Sequence, residues 1–372
     1  MELPLLTGED PALPYNHSAE VTIAARGKVV VAAPLNMHLQ GTDTYQYTSA
    51  DFRKRVAINV SHDAGKTFSV IDAGLGDGTF LGDQTTDPVV RVARDGTFFA
   101  VVLRSKMEGD GAVASSADGT NWVTIATLTV VDKPWLGVDD ERHELFIGAA
   151  AGFMRLGFDG SLRQQVSSAM PFLISDACTD SGGAYFATED AQVLHWDGST
   201  AEPQLAATFD RGPDADLYTS VTWNYGRLLD GSWSVRARRE GKGTIVLRVE
   251  RGADIVETPL TGSDANAFFP TAAIDDGGKL HVAWYDSAGT AGRLLYTHSR
   301  GVAPFADGFI EPIVVDDNAT PGNNWNPGFD QNSGDRRLRE YIGITVSDGV
   351  AYVAWTHSPA PPSRVFVATI RH

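Results

Sequence analysis

The chain has 372 residues and a formal net charge of −17. So acidic a surface excludes a nucleic-acid partner, because phosphate recognition needs a basic face, and it disfavours anionic membranes. No apolar run reaches the roughly 18 residues of a bilayer span, so no membrane insertion is expected, and the lone Cys178 excludes an intrachain disulfide and a cysteine metal cluster.

In chain order, the first β run expected is 3–7. The opening stretch Met1-Glu2-Leu3-Pro4-Leu5-Leu6 lacks the basic and long apolar regions of a signal peptide. A secreted or periplasmic protein with its signal removed is the expectation. A unit then recurs: an apolar run, a Gly/Asp turn and a second apolar run. It spans 19–25 and 29–33, 88–93 and 98–103, 134–138 and 144–149, and 171–178 and 184–188. It returns at 218–223 and 232–237 with a turn over 226–231, at 270–274 and 279–285, and at 341–346 and 350–355. Two further β-like runs lie between successive units, for example 56–60 and 68–71. The last unit is followed by a single run, 364–370. Cys178 ends an apolar run and reads as a buried structural thiol.

Four strands per unit, repeated seven times, predict an all-β, seven-bladed β-propeller of four-stranded antiparallel blades, with six blades as the alternative. The N-terminal run would supply the missing outer strand, close the ring and remove a sheet edge. All of 1–372 is then a single domain.

Ser61-His62-Asp63-Ala64-Gly65-Lys66-Thr67-Phe68 is a turn with its own lock. Asp and Gly supply turn chemistry, and the hydroxyls satisfy backbone groups. Ser115-Ser116-Ala117-Asp118-Gly119-Thr120-Asn121-Trp122 is a looser copy. Both resemble the Asp-box of the BNR/sialidase-like propellers, a superfamily of bacterial proteins. Lys133-Pro134-Trp135, His281-Val282-Ala283-Trp284-Tyr285-Asp286 and Tyr352-Val353-Ala354-Trp355-Thr356 resemble its phrasing too. The resemblance implies a carbohydrate-active architecture. The Arg-Ile-Pro motif of sialidases proper does not occur in this sequence.

In such blades, numbered from the inner strand outward, the first-to-second and third-to-fourth turns share one face. The long connections 36–55, 72–87, 208–217 and 311–340 fall on the other, where ligand sites form over a rigid scaffold. Inner-strand starts and second-strand ends ring the channel mouth there. Arg104, Lys133 and Arg238 are the expected anchors of an anionic group, with Tyr218, Tyr285, Asp286 and Trp325 as further ligand contacts. Tyr341, Glu340, Asp87, His38 and His357 are the catalytic candidates. Paired carboxylates serve glycoside hydrolysis. The resemblance adds a sialidase-type Tyr assisted by Glu, and propeller-fold polysaccharide lyases use His and Tyr as base and acid.

No cofactor is required by this reading. His17, His38 and His357 fall in the first and last blades and offer a three-nitrogen Zn²⁺ site, against separately hydrogen-bonded histidines. The Asp/Asn/Gly-rich stretch 316–335 offers oxygen ligands for Ca²⁺ but lacks EF-hand spacing, against a solvated loop of Asx turns. Trp325 and Phe329 within it would stack on a sugar or anchor the loop, and the adjacent Arg336, Arg337 and Arg339 suit an anionic ligand. The expected function is a glycosidase or polysaccharide lyase acting on an acidic glycan at the channel mouth. The alternative is a non-catalytic propeller that binds glycan or protein through the same face.

Overall fold

The structure, a computed structural model, describes residues 1–4, 17–38, 53–71, 85–104, 110–129, 133–150, 152–167, 174–180, 182–188, 192–208, 226–227, 234–240, 243–251, 254–262, 265–322, 342–360 and 362–372. These residues form antiparallel β-sheets of propeller type, with no helix among them. The first sheet holds β1 (His17–Arg26), β2 (Val29–His38), β3 (Arg53–Val56), β4 (Ile58–Ser61) and β5 (Ser69–Ile71). The second holds β6 (Thr85–Val92), β7 (Phe98–Arg104), β8 (Asp110–Ser116) and β9 (Val123–Thr129). The third runs β10 (Trp135–Asp139), β11 (Glu144–Ala149), β12 (Gly152–Gly157) and β13 (Leu162–Ser167). The fourth runs β14 (Ile174–Asp180), β15 (Gly183–Thr188), β16 (Gln192–Trp196) and β17 (Gln204–Thr208). The fifth has β18 (Gly226–Arg227), β19 (Ser234–Glu240), β20 (Thr244–Arg251) and β21 (Asp254–Pro259). The sixth has β22 (Ala267–Ile274), β23 (Lys279–Asp286), β24 (Ala291–Val302) and β25 (Ile313–Pro321). The last has β26 (Gly343–Ser347), β27 (Val350–His357) and β28 (Arg364–Arg371).

Burial follows position in the sheet. Second strands such as β2, β7 and β23 are buried on both faces, because sheets pack on either side of them, whereas β9 and β13 alternate toward solvent. The exposed apolar side chains Val123, Leu162, Leu205, Ile255 and Ile313 all sit on outer strands. Neighbouring sheets share their cores: Phe153 of the third packs on Phe186 of the fourth at 4.9 Å between ring centroids. Inner-strand contacts run from β1 to β6, β6 to β10, β10 to β14, β14 to β18 and β22 to β26, with β19 against β22, and β26 also packs on β1. Gly343 permits that last approach, since a Cβ there would stand 2.8 Å from the Ile23 side chain and 3.0 Å from its backbone nitrogen.

At the N-terminus, Leu3 donates its amide to Val365 O at 2.9 Å, and Val367 donates to Met1 O at 2.8 Å. Glu2 and Phe366 form an antiparallel bridge on the outer side of β28. Residues 5–7 of the expected run lie outside the described residues. Two expectations are corrected. Gly226–Arg227, read as a turn, is the strand β18 paired with Ser234 and Val235, and the run expected at 218–223 lies outside the described residues. Asp316 to Pro321, read as the start of a loop, belongs to β25, an outer strand whose irregular pairing with β24 accommodates polar residues beside solvent.

In the first four sheets the turns joining third to fourth strands are closed by aspartates. Asp63 Oδ1 accepts from the amides of Lys66 (3.0 Å) and Thr67 (2.9 Å), and Oδ2 from the Thr67 hydroxyl (2.7 Å). Those hydrogen bonds, the Thr67 hydroxyl first, hold its carboxyl well below the usual range. Asp118 accepts from the amides of Thr120 and Asn121, both at 2.8 Å. Asp159 and Asp197, which the sequence reading passed over, close the equivalent turns of the next two sheets by accepting from Ser161 and Ser199.

Candidate functional site

A cavity of about 250 Å³ runs where the inner strands converge. Thr22 and Ala24 of β1, Arg91 of β6, Trp135 of β10, Cys178 of β14, Thr271 of β22 and Gly343 of β26 all line it. Cys178 is therefore half-buried against the cavity and not sealed in a core. Arg91 lies over the Trp135 ring at 5.8 Å and donates to Val90 O at 3.0 Å, so it places a cation on the cavity wall.

Toward the strand-start end of this cavity, one backbone device repeats. In β1 the register skips from Ala19↔Leu35 to Thr22↔Ala33, so Glu20 and Val21 stand opposite one residue. In β6 it skips from Thr86↔Leu103 to Val89↔Val101, around Asp87 and Pro88. In β22 it skips from Phe268↔Tyr285 to Thr271↔Ala283, around Phe269 and Pro270. Each is a bulge, which re-aims the neighbouring side chain and, in β6 and β22, frees a proline from its ladder obligation. The residue before each pair's second member is left-handed: Glu20 at φ 49°, Asp87 at 50° and Phe269 at 49°, with Lys133 before Pro134 at 44°. Such backbone costs about 1–3 kcal/mol per residue and concentrates at functional sites.

Three of those four left-handed residues are ionisable, and all three are buried: Glu20 is 3% exposed, Asp87 9% and Lys133 9%. Arg55 (3%), His17 and His38 are buried beside them, as are Thr85 and Asn36. Asn36 pairs with Arg55 across β2 and β3, Thr85 pairs with Arg104 across β6 and β7, and Thr85 Oγ1 accepts the Val56 amide at 2.9 Å. Charged groups are rarely buried in this number without a ligand or a network to hold them. The first three sheets thus bring Asp87, His38, Arg104 and Lys133 to one end.

The sixth and last sheets supply a different arrangement at the same end. His357, at the end of β27, lies 2.7 Å by Nδ1 from Asp316 Oδ2, which also accepts from Trp355 Nε1 at 2.9 Å. Burial pushes the Asp316 carboxyl up, but hydrogen bonds from His357, the Asn318 amide and Trp355 outweigh it and hold it below the usual range. An ionised carboxylate only accepts, so the hydrogen of this bond sits on Nδ1 of His357. The carboxylate orients the imidazole, an arrangement that general acid–base chemistry uses.

Other candidates have settled partners. The Tyr285 hydroxyl donates to Thr356 O at 2.9 Å and accepts from Thr356 N at 3.0 Å, and burial pushes its ionisation far up. Asp286 accepts from Arg293 at 2.9 Å and from the Ala288 amide at 3.0 Å. His17 Nδ1 accepts the Ser363 amide at 3.2 Å. Arg238 stands in β19 opposite Val246. Tyr341, Glu340, Tyr218 and Trp325 lie outside the described residues. Sequence reading missed Glu20, Arg55, Arg91 and the partner role of Asp316. Its available signal was a charge interrupting an apolar run, as in Ala19-Glu20-Val21 and Val90-Arg91-Val92.

No protein-family model matches the chain, and no curated protein matches its sequence. Among solved structures, an ulvan lyase, described as a new family of polysaccharide lyase and bound to a GlcA-containing glycan, is similar. It has a TM-score of 0.57 and 9% identity, over 100% of this chain and 96% of that one. A protein of unknown function from Dyadobacter fermentans DSM 18053 has a TM-score of 0.55 and 12% identity, over 99% and 97% of the two chains. At such identities the likeness is one of fold, not of chemistry.

Proposed function

We propose that this chain is a carbohydrate-active enzyme of sialidase-like architecture, a seven-bladed propeller whose ring is closed by its N-terminal residues, acting on an acidic glycan at the strand-start mouth. One observation carries the reading: buried ionisable side chains, three of them on left-handed backbone, gather at that mouth in the first three sheets. In a chain of net charge −17, Arg55, Arg104 and Lys133 outnumber the carboxylates Glu20 and Asp87 at that mouth in the first three sheets, a local balance suited to a carboxylate or sulfate. The pairing of Met1–Leu3 with β28 and the contact of β26 with β1 support ring closure.

The His357–Asp316 pair favours elimination over hydrolysis. In elimination a base removes the proton beside a uronate carboxylate, cations stabilise the resulting enolate, and its electron pair forms the ring C=C bond as the C–O bond to the glycosidic oxygen breaks, that oxygen leaving with a proton from a general acid or water. Hydrolysis would instead draw on the carboxylates Glu20 and Asp87. The fold shared with a polysaccharide lyase is compatible with the first route. Incubation with a panel of uronate-containing polysaccharides tests the proposal. Appearance of ultraviolet-absorbing unsaturated uronate supports elimination, and new reducing ends without that absorbance support hydrolysis. Measurable binding with no turnover on any acidic glycan would replace the enzyme with a glycan-binding propeller.

A further inference from the structure

The opposite end of the sixth sheet holds a second cluster that the glycan reading does not use. Asp275 lies in the turn between β22 and β23, His281 on β23, His298 on β24, and His372 follows β28 of the last sheet. One ligating atom each from Asp275, His281 and His372 falls within 4.8 Å of the other two. Asp275 Oδ2 is 3.4 Å from His281 Nε2 and 3.7 Å from His372 Nε2. Both distances exceed those of well-made N–H···O bonds, so the three atoms surround a common point without closing on one another. Tetrahedral Zn²⁺ with bonds of about 2.0–2.2 Å sets its ligand atoms about 3.3–3.6 Å apart, close to the two spacings seen here.

The outer contacts are those a metal centre needs. His281 Nδ1 stands 2.6 Å from the Tyr296 hydroxyl, which both donates and accepts and so serves either imidazole tautomer. Asp275 Oδ1 accepts the Lys279 amide at 2.8 Å, which fixes the carboxylate with Oδ2 turned to the histidines. His298 holds its own ring by a 2.8 Å bond from Nδ1 to Ser299 O, with its centroid 5.2 Å from that of His372. The His372 imidazole is only 8% exposed.

We propose that Asp275, His281 and His372 bind one divalent transition-metal ion, Zn²⁺ by its ligand set. The ion would join the end of the last sheet to the sixth. The ligands are two nitrogens and one carboxylate oxygen, and water completes the tetrahedron. Protein stripped with a chelator and titrated with ZnCl₂ tests this by calorimetry, alongside His372→Ala and Asp275→Asn, each checked for native circular dichroism. The expected result is one Zn²⁺ per chain, a thermal midpoint that rises with free Zn²⁺, and affinity at least about tenfold weaker in both variants. Binding that is absent or substoichiometric in the wild-type protein would overturn the proposal, as would equal affinity in wild type and variants. His372→Ala is the decisive variant, because it removes a ligand outside any strand. Glycan binding is not the readout, so this site stands or falls apart from the one at the other end.

Discussion

Tyr285→Phe isolates one hydroxyl and tests whether Tyr285 braces the fold. The ring would remain stacked on Phe268, 5.4 Å away between centroids, so apolar packing is preserved. The loss falls on Thr356, which is fully buried and whose backbone N–H and C=O both bond the hydroxyl. Leaving a buried polar group unsatisfied costs about 1–3 kcal/mol. Two such groups, less the relief of no longer burying the hydroxyl, give about 2–4 kcal/mol. Urea denaturation followed by tryptophan fluorescence should show that loss as a lower midpoint with an unchanged slope. A Phe variant within about 0.5 kcal/mol of wild type, the range of neutral substitutions, would refute the brace.

Three further outcomes follow from other contacts. Hydrogen bonds, the Asn121 amide first, draw the Asp118 pKa from 3.8 down to about 2. A depressed folded-state pKa contributes stability that is present above the unfolded value and lost as pH falls through the folded one. Wild type should therefore lose more stability than Asp118→Asn as pH drops from 3.8 to about 2 in acid-titrated denaturation. Asp316→Asn should lower turnover of an acidic glycan by about 10²–10⁴-fold with little change in binding, and combining it with His357→Gln should add little, because the two act as a unit. Gly343→Ala should cost about 1–3 kcal/mol in denaturation, since its Cβ would press on the Ile23 backbone where the first and last sheets meet.

The fold was legible because its signal is local. Alternating apolar runs and Asp/Gly turns mark β23, expected at 279–285 and found at Lys279–Asp286, almost to the residue. Proline misled at strand starts. The sequence suggests Pro88 and Pro270 as first residues, yet β6 and β22 begin three residues earlier and carry their prolines inside bulges. A bulge is a property of pairing between strands, and one strand's sequence does not display it. The fifth sheet was misread because Gly226 and Gly231 suggested a turn where a two-residue strand starts.

The site was legible as a face and only partly as residues. Counting strands places Asp87, His38 and Arg104 at one end, because direction alternates with each turn. Glu20 was passed over as part of an apolar run, and its left-handed backbone has no glycine to announce it. Asp316 and His357 lie 41 positions apart, and Asp275 and His372 meet only through the contact of two sheets. Long-range pairs of this kind leave no periodic trace.

The central claim is that the strand-start mouth binds an acidic glycan. Affinity for one acidic oligosaccharide, measured by calorimetry for wild type, Lys133→Met and Asp63→Ala, tests it most directly. Losing a charge-assisted contact in a desolvated site costs about 1.5–3 kcal/mol, or roughly ten- to hundredfold in affinity. The account predicts that loss for Lys133→Met. It predicts wild-type affinity for Asp63→Ala, whose carboxylate only closes a turn at the other end. Loss of binding in Asp63→Ala with Lys133→Met unchanged would contradict it and put the working face at the opposite end of the sheets.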